Sequence, residues 1–223
     1  MNLLDIIEKD IPSLCVEDTI NDAENVMMDF NIEALPLIDE NDNFIALITL
    51  EFVENHWPDE KKQTFKDMRD LMYLKKAVLL NTHPYDIARY AINHQLSLIP
   101  VIDTKEKYIG IIEKVALFNF IVNPSGLLLE GSIIALKVAN IDYILSDIIR
   151  ICESNDTIVL HVQVNPIPGN YYEIILKTNR IDLSGLKSAF LRYNYQVLYT
   201  TGTSYEDDDL DKKYKNLIRF IEM

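Results

Sequence analysis

Four histidines (His56, His83, His94, His161) and two cysteines (Cys15, Cys152) are the side chains best suited to metal binding or nucleophilic chemistry in this sequence. No histidine has a second one at the H-x-x-x-H spacing that sets two imidazoles on one helix face. Two lone cysteines build neither a disulfide framework nor a tetrahedral zinc site, and each falls in an apolar stretch where an inert, buried thiol is expected. There is no G-x-S-x-G elbow and no glycine-rich phosphate loop; the chain has only 6 glycines. Carboxylates abound, but a pair acquires acid–base meaning only inside a cleft. These residues predict no enzyme, no catalytic residue and no metal site.

The carboxylates are unevenly distributed. The 223 residues carry 35 acidic and 21 basic side chains, a formal charge of −14. Residues 1–60 hold 16 acids and a single base, Lys9, whereas residues 61–130 hold 7 acids and 10 bases. Such a balance opposes nucleic-acid binding, which needs a basic surface. It fits either a solvated acidic face or a docking face for a basic protein partner. No apolar run approaches the roughly 20 residues that span a bilayer. The first ten residues carry acids where a signal peptide carries positive charge. A cytoplasmic protein with no membrane partner is expected, large enough for a sizeable core.

The elements that position these residues follow from an internal repeat. Residues 32–49, IEALPLIDENDNFIALIT, align without a gap on residues 96–113, LSLIPVIDTKEKYIGIIE, at an offset of 64. The offset pairs Pro36 with Pro100, Asp39 with Asp103 and, upstream, Asp22 with Asp86. Each copy reads as one supersecondary unit. It opens with an amphipathic helix (Ile20, Ala23, Val26, Met27, Phe30; then Ile87, Tyr90, Ala91, His94), with Asp22 or Asp86 in its first turn. A strand (35–38, 99–102), a polar turn (39–43, 103–107), a second strand (44–48, 108–112) and a second helix (51–56, 115–121) follow. Pro36 and Pro100 are placed at strand starts, where a missing N–H is tolerated. Unbroken apolar strands imply burial on both faces, and one copy is too small to bury its sheet alone. Between the copies, Pro58 is expected to open a helix running toward Leu71, with Trp57 filling a core or anchoring an oligomer.

This repeat resembles the cystathionine-β-synthase (CBS) domain, and the two copies resemble the tandem, or Bateman, pair. The resemblance implies adenine-nucleotide or adenosyl ligands (AMP, ADP, ATP or S-adenosylmethionine) held between the copies as regulators, with no resident cofactor. The family signature after the second strand, G-h-h-T/S-x-x-D, places a hydroxyl on phosphate and a carboxylate on ribose. Here the first copy reads Ala46-Leu47-Ile48-Thr49-Leu50-Glu51-Phe52 and the second Gly110-Ile111-Ile112-Glu113-Lys114-Val115-Ala116. Both aspartates are replaced, by Phe52 and Ala116, which removes charge-assisted hydrogen bonds worth about 1.5–3 kcal/mol each. The candidate ligand residues are Thr49, Glu51, Lys114, Pro36 and Pro100. Thr49 is equally an N-cap for the helix beginning near Leu50. An anion is expected nearer the second copy, beside Lys75, Lys76, Arg89, Lys105 and Lys114.

After Asn123-Pro124-Ser125-Gly126 the period changes. A strand (133–138), a helix (143–152, apolar through Ile144, Leu145, Ile148, Ile149 and Cys152) and a strand (157–164, alternating Ile158, Leu160, Val162, Val164) come first. A return strand (171–177), a helix (183–193) and a last strand (195–199) complete a βαββαβ, ferredoxin-like order. At this size it resembles an ACT domain, a regulatory module that typically pairs with a second copy and often binds amino acids. The family's ligand loop, D-x-P-G, corresponds here to Asn140-Ile141-Asp142-Tyr143. Asn140 is the candidate polar contact there, or a cap for the following helix. Residues 207–223 read as a helix with an acidic start and one apolar stripe. The expected division is CBS repeat 1 at 1–60, CBS repeat 2 at 61–122, a linker at 123–130, an ACT-like domain at 131–202, and an acidic linker and C-terminal helix at 203–223. The fold class is α/β for the CBS pair and α+β for the ACT-like part. The order resembles acetoin-utilisation B-type CBS proteins. It implies a non-enzymatic ligand sensor forming a homodimer; the alternative is a ligand-free scaffold for self-association and protein docking.

Overall fold

The computed structural model describes residues 3–56, 62–68, 71 and 75–202. It divides into two compact units that meet in sequence at Ile121 and Val122.

In the first unit the two copies build the same local structure. Helix α1 (Ile20–Phe30) starts at Thr19, whose Oγ1 accepts from the Asp22 N–H while Asp22 Oδ2 accepts from the Thr19 N–H. This reciprocal box satisfies two of the donors that a helix start leaves open. Its counterpart α3 (Pro84–Asn93) starts at His83, whose Nδ1 accepts from the Tyr85 N–H, with Pro84 pre-set for the first turn. Both helices give way to a residue in the left-handed region, Asn31 (φ 52°) and Gln95 (φ 54°), at the same offset. Phe30 and His94, placed above on the apolar faces, are solvent-exposed where their helices end; Ile20, Ala23, Met27, Ile87 and Ala91 carry the burial.

Strands β3 (Ala34–Ile38) and β4 (Phe44–Thr49) pair antiparallel, as do β6 (Leu98–Ile102) and β7 (Tyr108–Glu113). The turns between them are closed by Asp39, which accepts from the Asn41 and Asn43 N–H groups, and by Asp103, which accepts from those of Lys105 and Lys107. Pro36 and Pro100 lie in the middle of β3 and β6 rather than at their starts. The Leu50 N–H donates to the Glu33 carbonyl and the Lys114 N–H to that of Ser97. Alternation from those bonds turns the proline nitrogens away from the hairpin partner. On that flank β2 (Leu14–Cys15) pairs only with Leu37 and Ile38, and β5 (Val78–Leu79) only with Val101 and Ile102, so neither proline owes a ladder bond.

The strands are buried on both faces. One face of the first sheet packs on its own helices through Leu35, Leu37, Ala46 and Ile48. The other, Ala34, Phe44 and Leu47, packs against the second copy through Leu98, Tyr108 and Ile111, which are the same three positions shifted by 64. The junction is a local two-fold. Asn43 bridges to its equivalent Lys107, the Phe44 N–H donates to the Glu106 carbonyl, and the Tyr108 N–H donates to that of Asp42. The rings of Phe44 and Tyr108 stack at 6.4 Å. The symmetry breaks at the sheet edge beside β7. Strand β1 (Ile7–Glu8) adds to β7, giving the order β1-β7-β6-β5 against β2-β3-β4 in the other sheet. Leu3, Ile6 and Ile7 therefore join the core of the second copy.

Further differences from the sequence reading have local causes. Cys15 is exposed, because β2 is an edge strand of two residues. The segment 62–68 forms a single 3₁₀ turn, Phe65–Asp67, instead of a helix. Its backbone is engaged by the chain near Asp18: the Phe65 N–H donates to the Asp18 carbonyl and the Lys66 N–H to that of Val16. Pro58 and Trp57 lie outside the described residues, as does the stretch 203–223.

The second unit has the order β8 (Ile133–Ala139), α5 (Leu145–Glu153), β9 (Val159–Ile167), β10 (Tyr171–Thr178), α6 (Ser184–Arg192), β11 (Gln196–Thr200). The strands form one antiparallel sheet, β11-β8-β10-β9. Ile134, Leu136, Ile174 and Leu176 pack against Ile148, Ile151, Leu186 and Phe190 of the helices. This is the ferredoxin-like βαββαβ arrangement, an α+β fold. Ile144 and Leu145 are exposed and Ile151 is buried, reversing their expected roles. A 3₁₀ turn at Asn140–Asp142 delays α5, so Ile144 precedes it and the stripe runs through Ile148, Ile151 and Cys152. Asn140 caps nothing; α5 starts without a side-chain cap. In β9 a register shift opposite Lys177 and Thr178 leaves Leu160 unpaired. Such a bulge resets the alternation, so Val159 and Val162 face the core and Ile158 is exposed. Gly126 (φ 79°) packs there: a Cβ on it would stand 2.6 Å from the Leu160 carbonyl oxygen.

Candidate functional site

Two clefts lie at the junction of the repeats, and the offset of 64 relates them. The first, about 210 Å³, is lined by Glu33, Ala34, Leu47, Thr49, Leu50, Glu51 and the run Gln95-Leu96-Ser97-Leu98. The second, about 300 Å³, is lined by Asn31, Ile32, Glu33, Ser97, Leu98, Glu113, Lys114 and Val115. Adding 64 to Thr49, Leu50 and Glu51 gives Glu113, Lys114 and Val115. Subtracting it from Gln95, Leu96 and Ser97 gives Asn31, Ile32 and Glu33. Each cleft is thus built from the end of one copy's second strand and the approach to the other copy's first strand. The left-handed residues Asn31 and Gln95 turn the chain into those approaches.

The structure brings Thr49 and Glu51 together in the first cleft and sets Lys114 in the second. Pro36 and Pro100 line neither; they are buried within their strands. Asn140 belongs to the other unit. Thr49 Oγ1 accepts the Phe52 N–H at 3.2 Å, so the residue is the N-cap of α2 (Leu50–Asn55). Its O–H remains able to donate. Phe52, at the position of the family's ribose carboxylate, is a core residue packed among Leu35, Ile48 and Val53. Residues not foreseen as lining are Glu33, Ser97, Gln95 and Asn31. Their signal in the sequence is position alone: they precede the first strand of each copy at matching offsets.

The polar heads of the clefts differ in charge. The first holds Glu33 and Glu51 and no base; the second holds Glu33 and Glu113 against Lys114 alone. Among the described residues none of these four takes part in an ion pair. Of the other bases expected to favour an anion, Lys75 is paired with Glu106 and Arg89 with Asp86, both at 2.8 Å. Arg89 borders a separate hollow of about 310 Å³ with Leu79, Thr82, Asp86 and Tyr90, where burial pushes the Tyr90 phenol up. At the junction itself the Tyr108 hydroxyl is buried without a hydrogen-bond partner, and desolvation pushes its ionisation far above the ordinary range. Among the described residues no group of three or more His, Cys, Asp or Glu is placed to hold a metal ion, and no helix is long and apolar enough to cross a membrane.

The CBS domain family matches residues 4–51. A homoserine O-acetyltransferase of Methanobrevibacter ruminantium is 30% identical over 103 residues, 44% of this chain and 20% of that protein. An inosine-5'-monophosphate dehydrogenase of Methanocaldococcus jannaschii is 26% identical over 110 residues, 48% of this chain and 21% of that protein. The matched stretch thus spans about a fifth of each relative's length. Among solved structures, a CBS domain pair/ACT domain protein of Thermotoga maritima aligns at 13% identity with a TM-score of 0.47, covering 55% of this chain and 98% of that one. The first copy of the repeat, which supplies Thr49 and Glu51, is matched as a CBS domain.

Proposed function

We propose that this chain is a non-enzymatic regulatory protein, in which a CBS pair senses an adenosyl ligand and couples its occupancy to an ACT-like, homodimeric second unit. The observation that carries this reading is the pair of clefts at offset-related positions. The local two-fold repeats whatever hollow it leaves, so the support lies in where the hollows fall: at the end of each copy's second strand, where the signature of the resembled family is placed. A ligand acts by binding one packing of the two copies better than another. Residues that differ between the clefts, Thr49 and Glu51 against Glu113 and Lys114, then set what each accepts.

A thermal-shift panel of AMP, ADP, ATP, S-adenosylmethionine and amino acids tests it. A ligand at 100 times its dissociation constant stabilises by about 2.7 kcal/mol, hence roughly 5–11 °C for a chain of this size. No shift across the panel at millimolar concentration refutes sensing of these ligands. The second reading, a scaffold that self-associates and docks a protein partner, is favoured by Phe52: a core side chain stands where a ribose acceptor is needed. Under that reading the panel is silent.

A further inference from the structure

Both clefts are negative, and one residue is common to them. Glu33 lines the first and the second, as do Ser97 and Leu98, because these residues sit between the clefts at the approaches to β3 and β6. The first cleft adds Glu51; the corresponding position in the second is Val115. The second adds Glu113, where the first has Thr49, and one base, Lys114. Among the described residues, a phosphate entering the first cleft meets two carboxylates and no cation. In the second it meets two carboxylates and one ammonium. A carboxylate without an ion-pair partner favours positive charge brought close to it, the more so as the ligand displaces water.

We infer that the clefts select a phosphate-free, positively charged ligand over an anionic nucleotide, with Glu33 setting that preference in both clefts and Glu51 adding to it in the first only. This rests on the sensing role proposed above and names the ligand class for the same site. Three probes of similar adenosyl framework span the charge: AMP as an anion, 5'-methylthioadenosine as a neutral thioether, and S-adenosylmethionine as a sulfonium cation. The expected order of affinity is S-adenosylmethionine, then 5'-methylthioadenosine, then AMP. Each carboxylate contributes about fivefold, roughly 1 kcal/mol, as exposed ion pairs do.

Calorimetric titration of the full chain at low and at about 0.3 M salt reads the order directly. The preference narrows as salt rises, because screening acts on partly exposed charges. Glu33→Gln narrows it for every bound equivalent, whereas Glu51→Gln narrows it for one class of site only. Both side chains are at the surface, and the wild-type order needs no variant at all. AMP binding more tightly than 5'-methylthioadenosine overturns the inference while leaving the sensing role standing. An order unmoved by Glu33→Gln also overturns it. Absence of binding by all three probes overturns the sensing role and the inference together.

Discussion

Gly110 is where the two repeats differ in backbone, and replacing it tests why only one of them gains a fourth strand. Its φ is 154°, and a Cβ built on it would stand 2.5 Å from Ile7 Cγ2 and 2.7 Å from the Glu8 carbonyl oxygen. The equivalent residue of the first copy is Ala46, beside which no such strand lies among the described residues. Gly110→Ala meets two penalties. A non-glycine residue at this φ costs about 1–3 kcal/mol, and displacing a paired backbone adds about 1–3 kcal/mol of overpacking strain. Together they approach what β1 contributes, since its pairing with β7 is confined to Ile7↔Ile112 and Glu8↔Ile111. β1 is a two-residue edge strand of one unit, so the readout should be local. Hydrogen exchange of residues 3–8 should accelerate by at least roughly 30-fold, the equivalent of about 2 kcal/mol or more, while exchange in the second unit stays unchanged. Wild-type protection of residues 3–8 in Gly110→Ala would show that the glycine is not what admits β1. Ala46→Gly serves as the control and should leave β1 untouched.

Thr19→Ala should destabilise the first unit by about 1 kcal/mol in urea unfolding. It should also blunt acid sensitivity: the hydrogen bonds from Thr19 hold Asp22 below its ordinary range, so that stabilisation is present above the unfolded carboxylate pKa and lost as pH falls through the folded one. Equal acid sensitivity in the variant would contradict this. Tyr108→Phe should be neutral or stabilising by about 1 kcal/mol, because it removes a buried hydroxyl with no partner; a loss of stability would reveal a hidden bond. Aromatic disulfide reagent at neutral pH should modify one thiol per native chain and two in denaturant. Cys15 is exposed, whereas Cys152 is buried with its thiol pushed up to about 12 by desolvation. Phe190→Ala should cost the second unit about 3–5 kcal/mol, since the ring is fully buried against Tyr195.

The repeat was legible because both copies carry a strong local pattern. Asp39 and Asp103 in their turns, Asp22 and Asp86 in their helices, and the apolar strands between are read from neighbours a few residues away. The clefts were half legible. Thr49, Glu51 and Lys114 come with a motif, whereas Glu33 and Ser97 reach their site only through the packing of one copy on the other. What escaped was decided at a distance. A two-residue strand such as β1 has no pattern of its own, and β2 is too short to bury Cys15. Pro36 could be read as mid-strand only by knowing how little of β2 runs beside it. In the second unit, one unpaired residue at Leu160 shifts the face of every residue before it, which alternation counted along β9 cannot anticipate.

The pairing of β1 with β7 has a bearing on how this chain is made. Ile7 and Ile112 stand 105 positions apart. At ribosomal rates of 5–20 residues per second, β1 emerges roughly 5–20 s before its partner exists. Closure of so long a loop is entropically costly and slow. During that interval the first repeat can pair its own β2-β3-β4 sheet, which lies within residues 14–49, although the face carrying Ala34, Phe44 and Leu47 stays open until the second copy arrives. The second repeat must wait both for its last strand and for the return of residues 3–8. β1 is therefore made before its partner and placed after it, and a binding factor that captures nascent residues 3–8 would deny the second sheet its fourth strand while leaving the strand pairing of the first intact.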